Sequence, residues 1–159
     1  MKNSEVINLV PGIDWVGILD FGIVTFDVVM ETKYGTTYNS YVVKGTEKTA
    51  LIETAKATFF DEYIEKVKSV VDPAQIDYIV LDHTEPDHSG SLARLLTLCP
   101  KAKVIASAAA LKYLKDITNE EFPCQAVREG DSLDLGGKTL QFIGASNLHW
   151  PDSIYTYVP

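Results

Sequence analysis

Arginine, cysteine and long apolar segments are scarce in this sequence, and each shortage excludes a class of protein. Arginine occurs twice in 159 residues, and 14 lysines and arginines together face 22 aspartates and glutamates, giving a net charge of −8. A nucleic-acid-binding protein presents a basic face to the phosphates, and this composition offers none. We therefore expect no nucleic-acid partner.

The two cysteines, Cys99 and Cys124, are too few and too far apart for a disulfide framework or a Cys-x-x-Cys motif. They are interpreted as reduced thiols, which indicates the cytoplasm. The sequence is polar at its start, and no apolar run is long enough for a signal peptide or a membrane span. We therefore expect a cytoplasmic protein that is neither exported nor inserted into a membrane.

The remaining composition is that of a compact globular protein. Hydrophobic residues make up 46% of the chain and charged residues 23%, which excludes a disordered, collagen-like or coiled-coil protein. A chain of 159 residues can bury a sizeable core, and it contains no internal repeat or linker. The sequence therefore predicts one domain.

Apolar periodicity predicts strands first and then an alternation of strands and helices. In the first third of the chain, β-branched and aromatic runs predict strands over 6–10, 13–19, 21–30, 35–43 and 49–53. Gly45 indicates a hairpin between the last two of these strands. Apolar residues at spacings of three and four predict a helix over 58–71, ended by Pro73. The rest of the chain reads as strand 78–81, helix 91–98, strand 104–106, helix 108–117 and strands 132–135, 139–143 and 154–158. This order indicates an α/β fold that begins with an antiparallel meander.

Metal-ligating residue types are concentrated directly after the strand 78–81. His83, Glu85, Asp87 and His88 fall within six positions, and His149 follows 61 positions after His88. These are all the histidines of the chain, and a loop after a strand is a common place for a functional site. The cluster is therefore the candidate site.

The donor types of the cluster indicate a metal. In an extended segment His83, Glu85 and Asp87 would project to one side, and Pro86 favours that conformation for Glu85. Nitrogen and oxygen donors suit zinc, iron or manganese, and carboxylates favour the last two. Because five donors exceed what one tetrahedral ion needs, the sequence favours two ions at the site.

Each residue also has a structural explanation. Asp87 or Ser89 can cap the following helix, Glu85 can be solvated on a polar loop, and single histidines are often core or surface residues. The clustering of four donors, joined by His149, favours the metal interpretation.

The run from His83 to Leu92 resembles the metal motif of flavodiiron proteins, also called A-type flavoproteins. Glu85 stands where hydrolases of the metallo-β-lactamase superfamily carry the middle histidine of H-x-H-x-D-H. The segments 35–41, 47–52 and 148–153 also match, so the resemblance covers nearly the whole chain. It implies the metallo-β-lactamase fold, an αββα sandwich.

The resemblance implies a ligand set and an activity. His83, Glu85 and His149 would bind one iron, and Asp87 and His88 the second, with zinc as a possible substitute. Flavodiiron proteins reduce dioxygen to water or nitric oxide to nitrous oxide, with electrons passed through FMN from a rubredoxin-like donor or a flavin reductase.

Two residues beside His149 are candidates for supporting the ligands, and other functions stay open. Trp150 and Asp152 are those candidates, with core packing and a turn carboxylate as their structural explanations. A zinc hydrolase of the metallo-β-lactamase superfamily is one alternative function, against which Glu85 argues. A non-catalytic metal-binding or assembly module is another.

Several parts of the family pattern are missing from residues 1–159. The bridging aspartate, the last histidine of the second iron and the flavodoxin-like domain with its FMN are not in this sequence. Residues 1–159 are therefore expected to be the amino-terminal portion of the diiron domain, the first half of the αββα fold. We expect an exposed apolar face covered by a complementing chain or by a second copy, and a metal site that is weakened or holds one ion.

Overall fold

A computed structural model describes residues 5–26 and 28–159 of the chain. Residues 1–4, which belong to the polar start of the sequence, and residue 27, inside the predicted strand 21–30, lie outside the described residues. The strands are β1 (Ile7–Val10), β2 (Ile13–Trp15), β3 (Ile18–Asp20), β4 (Thr25–Phe26), β5 (Met30–Glu31), β6 (Thr36–Tyr38), β7 (Tyr41–Lys44), β8 (Thr49–Ile52), β9 (Tyr78–Leu81), β10 (Lys103–Ala106), β11 (Cys124–Ala126), β12 (Ser132–Asp134), β13 (Thr139–Gly144) and β14 (Ile154–Tyr157). The helices are α1 (Phe60–Val70), α2 (Pro86–Ser89), α3 (Leu92–Leu98) and α4 (Ala108–Thr118), with 3-10 turns at Ala57–Phe59 and Pro73–Gln75.

A seven-stranded mixed sheet forms the centre of the fold. Its strand order is β1-β2-β7-β8-β9-β10-β11. The first four strands pair antiparallel, as the predicted meander requires. From β8 to β11 the strands pair parallel, because helices lie between them in the sequence and return the chain to the same edge. The predicted α/β order is therefore confirmed.

Helices α1, α3 and α4 cover one face of the seven-stranded sheet. The apolar stripe of α1, which includes Phe60, Ile64 and Val67, is buried there against the sheet. α1 ends at Val70, close to the predicted end, and the Asp72 carboxylate then accepts a hydrogen bond within the turn that contains Pro73. In the part of the chain that the structure describes, no helix combines the length and apolar character needed to cross a bilayer.

A three-stranded antiparallel sheet, β12-β13-β14, covers the other face. Its inward side chains, such as Leu140 and Phe142, form a second buried cluster with residues of the large sheet, such as Ile105. Side chains alternate between the two faces along a strand, so the side chains that do not point inward lie on the outer face of the small sheet. That face exposes three large apolar or aromatic side chains, namely Ile143, Tyr155 and Tyr157.

The amino-terminal strands are shorter than predicted. The predicted strand 13–19 is divided into β2 and β3 at Gly17, where an added Cβ would lie 2.3 Å from the Tyr38 carbonyl oxygen. The single strand predicted over 21–30 is wrong, because this stretch holds β4 and the start of β5, which form a short hairpin. β-branched and aromatic residues suggested one continuous strand, but the two short strands lie at the surface, where Val24 and Val29 are 73% and 80% exposed.

The loop after β9 also differs from its predicted form. Glu85 is extended, with φ −57° and ψ 152°, as expected before a proline. Asp87 does not continue that extended segment, because Pro86 begins the helical turn α2. Proline is favoured at the first helical position, where its fixed φ is suitable and its missing N–H is not needed. Asp87 and His88 therefore lie on a helical turn.

Candidate metal centre

His83, Glu85 and His149 form a compact group of possible metal ligands. His83 and Glu85 follow β9, and His149 lies in the loop before β14, so the two sheets bring them together. The Glu85 Oε2 atom is 3.1 Å from His83 Nε2 and 3.0 Å from His149 Nε2. One ligand atom from each residue lies within 4.8 Å of the other two.

The chemistry of this group fits a divalent transition metal. Two imidazole nitrogens and one carboxylate oxygen suit iron, manganese or zinc. Donors bound at about 2.1 Å to one ion lie about 3 Å apart when they subtend roughly a right angle. The Glu85 carboxylate already has that spacing from both histidines. The three side chains can therefore bind one ion together.

Asp87 and His88 lie beside this group on α2. The His88 Nε2 atom is 3.6 Å from the Asp87 carboxylate, and the rings of His88 and His83 have their centres 5.1 Å apart. Neither Asp87 nor Ser89 is the N-cap residue of α3, because that position is held by Ser91. The Ser89 hydroxyl instead donates to the carbonyl oxygens of Thr84 and Glu85.

Asp152 holds the His83 ring from the side away from Glu85. Its fully buried carboxylate lies 3.1 Å from His83 Nδ1 and accepts a 2.8 Å hydrogen bond from the Thr84 hydroxyl. The Ser107 hydroxyl at the start of α4 donates to the Asp152 carbonyl oxygen at 2.8 Å. Asp152 therefore contacts both the helical layer and the segment 82–88, which carries four of the candidate ligands and is called the metal loop below.

Trp150 contacts the same histidine with its ring. The ring centres of Trp150 and His83 are 5.2 Å apart, with an interplanar angle of 77°. Trp150 is 40% exposed, so its indole covers the outer side of the group and is not part of the core.

Glu53 is a residue of the site that sequence reasoning missed. It follows β8, is 7% exposed, and places its Oε2 atom 2.8 Å from His88 Nδ1. Its other carboxylate oxygen accepts a hydrogen bond from the backbone N–H of Asp82. The sequence held one signal for Glu53, because it directly follows the mainly apolar strand 49–52. An acid next to a buried strand is seldom buried without a partner, which points to a contact with another polar group.

The titratable groups of the site are shifted by burial and by one another. Burial acts to raise the pKa of Glu85, but hydrogen bonds from His149 and His83 outweigh it and lower the pKa. Burial acts to lower the pKa of His88, but the hydrogen bond and charge of Glu53 raise it to about 9. Burial and then the charge of Glu53 raise the pKa of Asp82 to about 7, against two hydrogen bonds from Thr156. Shifted titratable groups that lie together beside a cavity mark a candidate functional site.

A cavity of about 550 Å³ opens onto the candidate ligands. His83, Asp87, His88 and His149 all line it. Apolar and aromatic residues complete the wall, including Ile13, Tyr38, Tyr41, Leu148 and Val158. The cavity is large enough to admit small molecules to the ligand group.

The chain is similar in sequence to several known proteins. The family model described as ODP family beta lactamase matches residues 36–159. A flavo-diiron protein of Clostridium acetobutylicum is 54% identical over 143 residues, covering 89% of this chain and 36% of the relative. A nitric oxide reductase of Moorella thermoacetica is 41% identical over 158 residues, covering 98% of this chain and 39% of the relative.

The fold of the chain is similar to solved structures of related proteins. The rubredoxin oxygen:oxidoreductase of Desulfovibrio gigas superposes with a TM-score of 0.91 at 35% identity, covering 96% of this chain and 38% of that one. The flavodiiron protein of Giardia intestinalis superposes with a TM-score of 0.91 at 31% identity, covering 98% and 38%. The chain thus spans less than two fifths of the length of these relatives.

Proposed function

The chain belongs to the flavodiiron proteins, with the metallo-β-lactamase-like fold of their ODP-family domain, and from that membership we propose that it reduces dioxygen to water or nitric oxide to nitrous oxide as part of a diiron domain. The observation that carries the proposal is the Glu85 carboxylate, which lies about equally far from His83 and His149. A carboxylate between two imidazoles favours iron more than a third neutral nitrogen would.

In this proposal His83, Glu85 and His149 bind the first iron, and Asp87 and His88 supply donors to the second. Two adjacent ferrous ions can hold a diatomic molecule and supply two electrons together. The cavity lined by four of these side chains supports such a substrate, because it gives a small molecule access to both positions. Asp152 and Trp150 support the first position through their contacts with His83.

Residues 1–159 are, in the same proposal, the amino-terminal portion of the diiron domain. Asp87 and His88 give the second iron two protein donors, so further donors come from outside these residues, through a continuation of the domain, a complementing chain or a second copy. The exposed outer face of the small sheet, with Ile143, Tyr155 and Tyr157, supports a covering partner.

Electrons would reach the irons through FMN, bound outside residues 1–159, from a rubredoxin-like donor or a flavin reductase. The names of the Desulfovibrio and Moorella relatives support an oxygen or nitric oxide substrate. Cys99 and Cys124 are both free, which supports a role in the reducing cytoplasm.

Native mass spectrometry of the anaerobically purified protein tests the proposal, since it reports bound metal and chain stoichiometry together. We expect at least one iron for each chain, lost in a His149→Ala variant and retained in a matched variant at an exposed carboxylate, Glu120→Ala. A chain that excludes iron but holds zinc and hydrolyses esters would contradict the proposal.

A further inference from the structure

Glu53 is held in an uncommon backbone conformation by a complete set of hydrogen bonds. Its φ is +59°, a left-handed value that costs energy for a residue other than glycine. Its N–H donates to the Val80 carbonyl oxygen at 2.8 Å. Its carbonyl oxygen accepts from the buried hydroxyls of Ser40 at 2.9 Å and Tyr63 at 3.2 Å. Such strain persists where the surroundings determine the conformation, and it is frequent at functional sites.

The Glu53 carboxylate connects the two ends of the metal loop. One oxygen accepts from the N–H of Asp82, the residue before His83, and the other lies 2.8 Å from His88 Nδ1. Thr54, the residue after Glu53, fixes the backbone of His88. The N–H of Thr54 donates to the His88 carbonyl oxygen at 3.0 Å, and the Thr54 hydroxyl donates to the same oxygen. Two consecutive residues thus hold both the ring and the backbone of His88.

We propose that Glu53 is a positioning residue that holds a proton on Nδ1 of His88, so that Nε2 is the nitrogen that gives up its proton and binds the second metal. The inference rests on the proposed function, in which His88 is a ligand. A histidine binds a metal through a nitrogen that carries no proton, and the partner of the other nitrogen decides which one that is. The Glu53 carboxylate can accept a proton at Nδ1 but cannot donate one.

A carboxylate is required at this position because both of its partners are donors. The Asp82 N–H is a backbone group and cannot reverse its role. In a Glu53→Gln variant the amide oxygen would pair with Asp82, and the amide NH₂ would face His88 Nδ1. That arrangement favours a proton on Nε2, which blocks metal binding through this atom.

The experiment uses the full chain, labelled with ¹⁵N in its histidines and titrated with Zn²⁺ as a diamagnetic probe. The chain has three histidines, so its NMR spectrum contains three imidazole sets that single substitutions assign. In the wild type we expect His88 to bind Zn²⁺ through Nε2 with Nδ1 protonated. Chelator competition measures the Zn²⁺ affinity, and we expect Glu53→Gln to lower it at the position held by His88 by about 10- to 100-fold.

Asp77→Asn is the matched control. Asp77 also accepts a hydrogen bond from a backbone N–H of the large sheet, that of Thr49 at 2.9 Å, but it does not contact the ligands. A structural loss alone would therefore be reproduced by this control. We expect Asp77→Asn to bind Zn²⁺ as the wild type does.

Two outcomes would overturn the role of Glu53. One is a Glu53→Gln variant in which His88 binds Zn²⁺ through Nε2 with wild-type affinity, and the other is a wild type in which His88 binds through Nδ1. The second measurement needs no variant of Glu53, so it decides the question even where Glu53→Gln does not fold. His83 and His149 report separately on the proposed function: if neither ¹⁵N signal responds to metal, that function fails, and the role of Glu53 fails with it.

Discussion

The Asp152 carboxylate lies 3.1 Å from Nδ1 of His83, while Nε2 of the same ring faces Glu85 at the same distance. The ring is therefore held between one fully buried acid, Asp152, and one partly exposed acid, Glu85. A metal-binding histidine with a carboxylate on its far nitrogen has a fixed tautomer and a fixed orientation, which strengthens the ligand. His88 has the same arrangement with Glu53.

Removing the Asp152 carboxylate is expected to weaken metal binding at His83. Asp152→Ala deletes the acceptor for both the His83 ring and the Thr84 hydroxyl, and we expect a loss of metal affinity of about 10- to 100-fold. Asp152→Asn should lose less, because an amide oxygen can still accept from His83 Nδ1. Metal titration by calorimetry measures both variants. Equal affinities in the wild type and the alanine variant would contradict this role.

Replacing Glu85 is expected to change which metal is preferred. Glu85→His substitutes a neutral nitrogen for the carboxylate between His83 and His149, so the bound cation loses a negative partner and the donors come to favour zinc over iron. Competition of Fe²⁺ and Zn²⁺ under anaerobic conditions should show a rise in the zinc-to-iron ratio of about tenfold or more. Glu65→His, on the exposed face of α1, is the control and should leave the ratio unchanged.

Asp77 is expected to make folding stability depend on pH in the acid range. Burial acts to raise its pKa, but the hydrogen bond from Thr49 and the charges of Lys101 and Lys48 outweigh it and lower the pKa below 3.8. Because the folded pKa is below the unfolded one, this stabilisation is fully present above pH 3.8 and is lost as pH falls through the folded pKa. Asp77→Asn should therefore lower the free energy of unfolding by about 1 kcal/mol at pH 7.

The measurement is urea unfolding of the wild type and Asp77→Asn between pH 2 and pH 7. The difference in free energy of unfolding between the two proteins should be constant at the upper end of this pH range and disappear at its lower end. A difference that persists unchanged to the lowest pH would show that the ionised carboxylate is not its source.

Thr156 is expected to join the two sheets through Asp82. Its N–H and hydroxyl donate to the two oxygens of the Asp82 carboxylate, at 2.9 Å and 2.6 Å, and the Asp82 carbonyl oxygen accepts from Ile154 at 2.9 Å. Thr156→Val keeps the shape but removes the hydroxyl donor, which should cost about 1–3 kcal/mol in free energy of unfolding.

Denaturant unfolding checks this value, with Thr97→Val as the control. The Thr97 hydroxyl donates to the Arg94 carbonyl oxygen on the exposed side of α3, so its loss should change stability by less than about 0.5 kcal/mol. Equal effects of the two substitutions would contradict a special role for the contact with Asp82.

The candidate ligands could be predicted from the sequence because four of them fall within six positions and the remaining histidine of the chain is the fifth. Glu53 could not be found in this way, since 35 residues separate it from His88 and only the parallel pairing of β8 with β9 makes them neighbours. The helical turn α2 is four residues long, which is too short to show a helical period. The predicted strand 21–30 failed because β-branched residues favour a strand but do not show where a short hairpin interrupts it.

The ligand group also has a mechanical consequence for the fold. Glu85 lies in the loop that follows β9 of the large sheet, His149 lies in the loop between β13 and β14 of the small sheet, and 64 positions separate the two residues. An ion bound by both is a removable cross-link in a chain whose two cysteines are free. Because the folded chain brings these side chains together and the unfolded chain does not, a bound ion would stabilise the fold by an amount that rises with its affinity and its free concentration. Metal supply would then set how firmly the small sheet stays docked, and a chelator should loosen that sheet while the helix-covered sheet keeps its order.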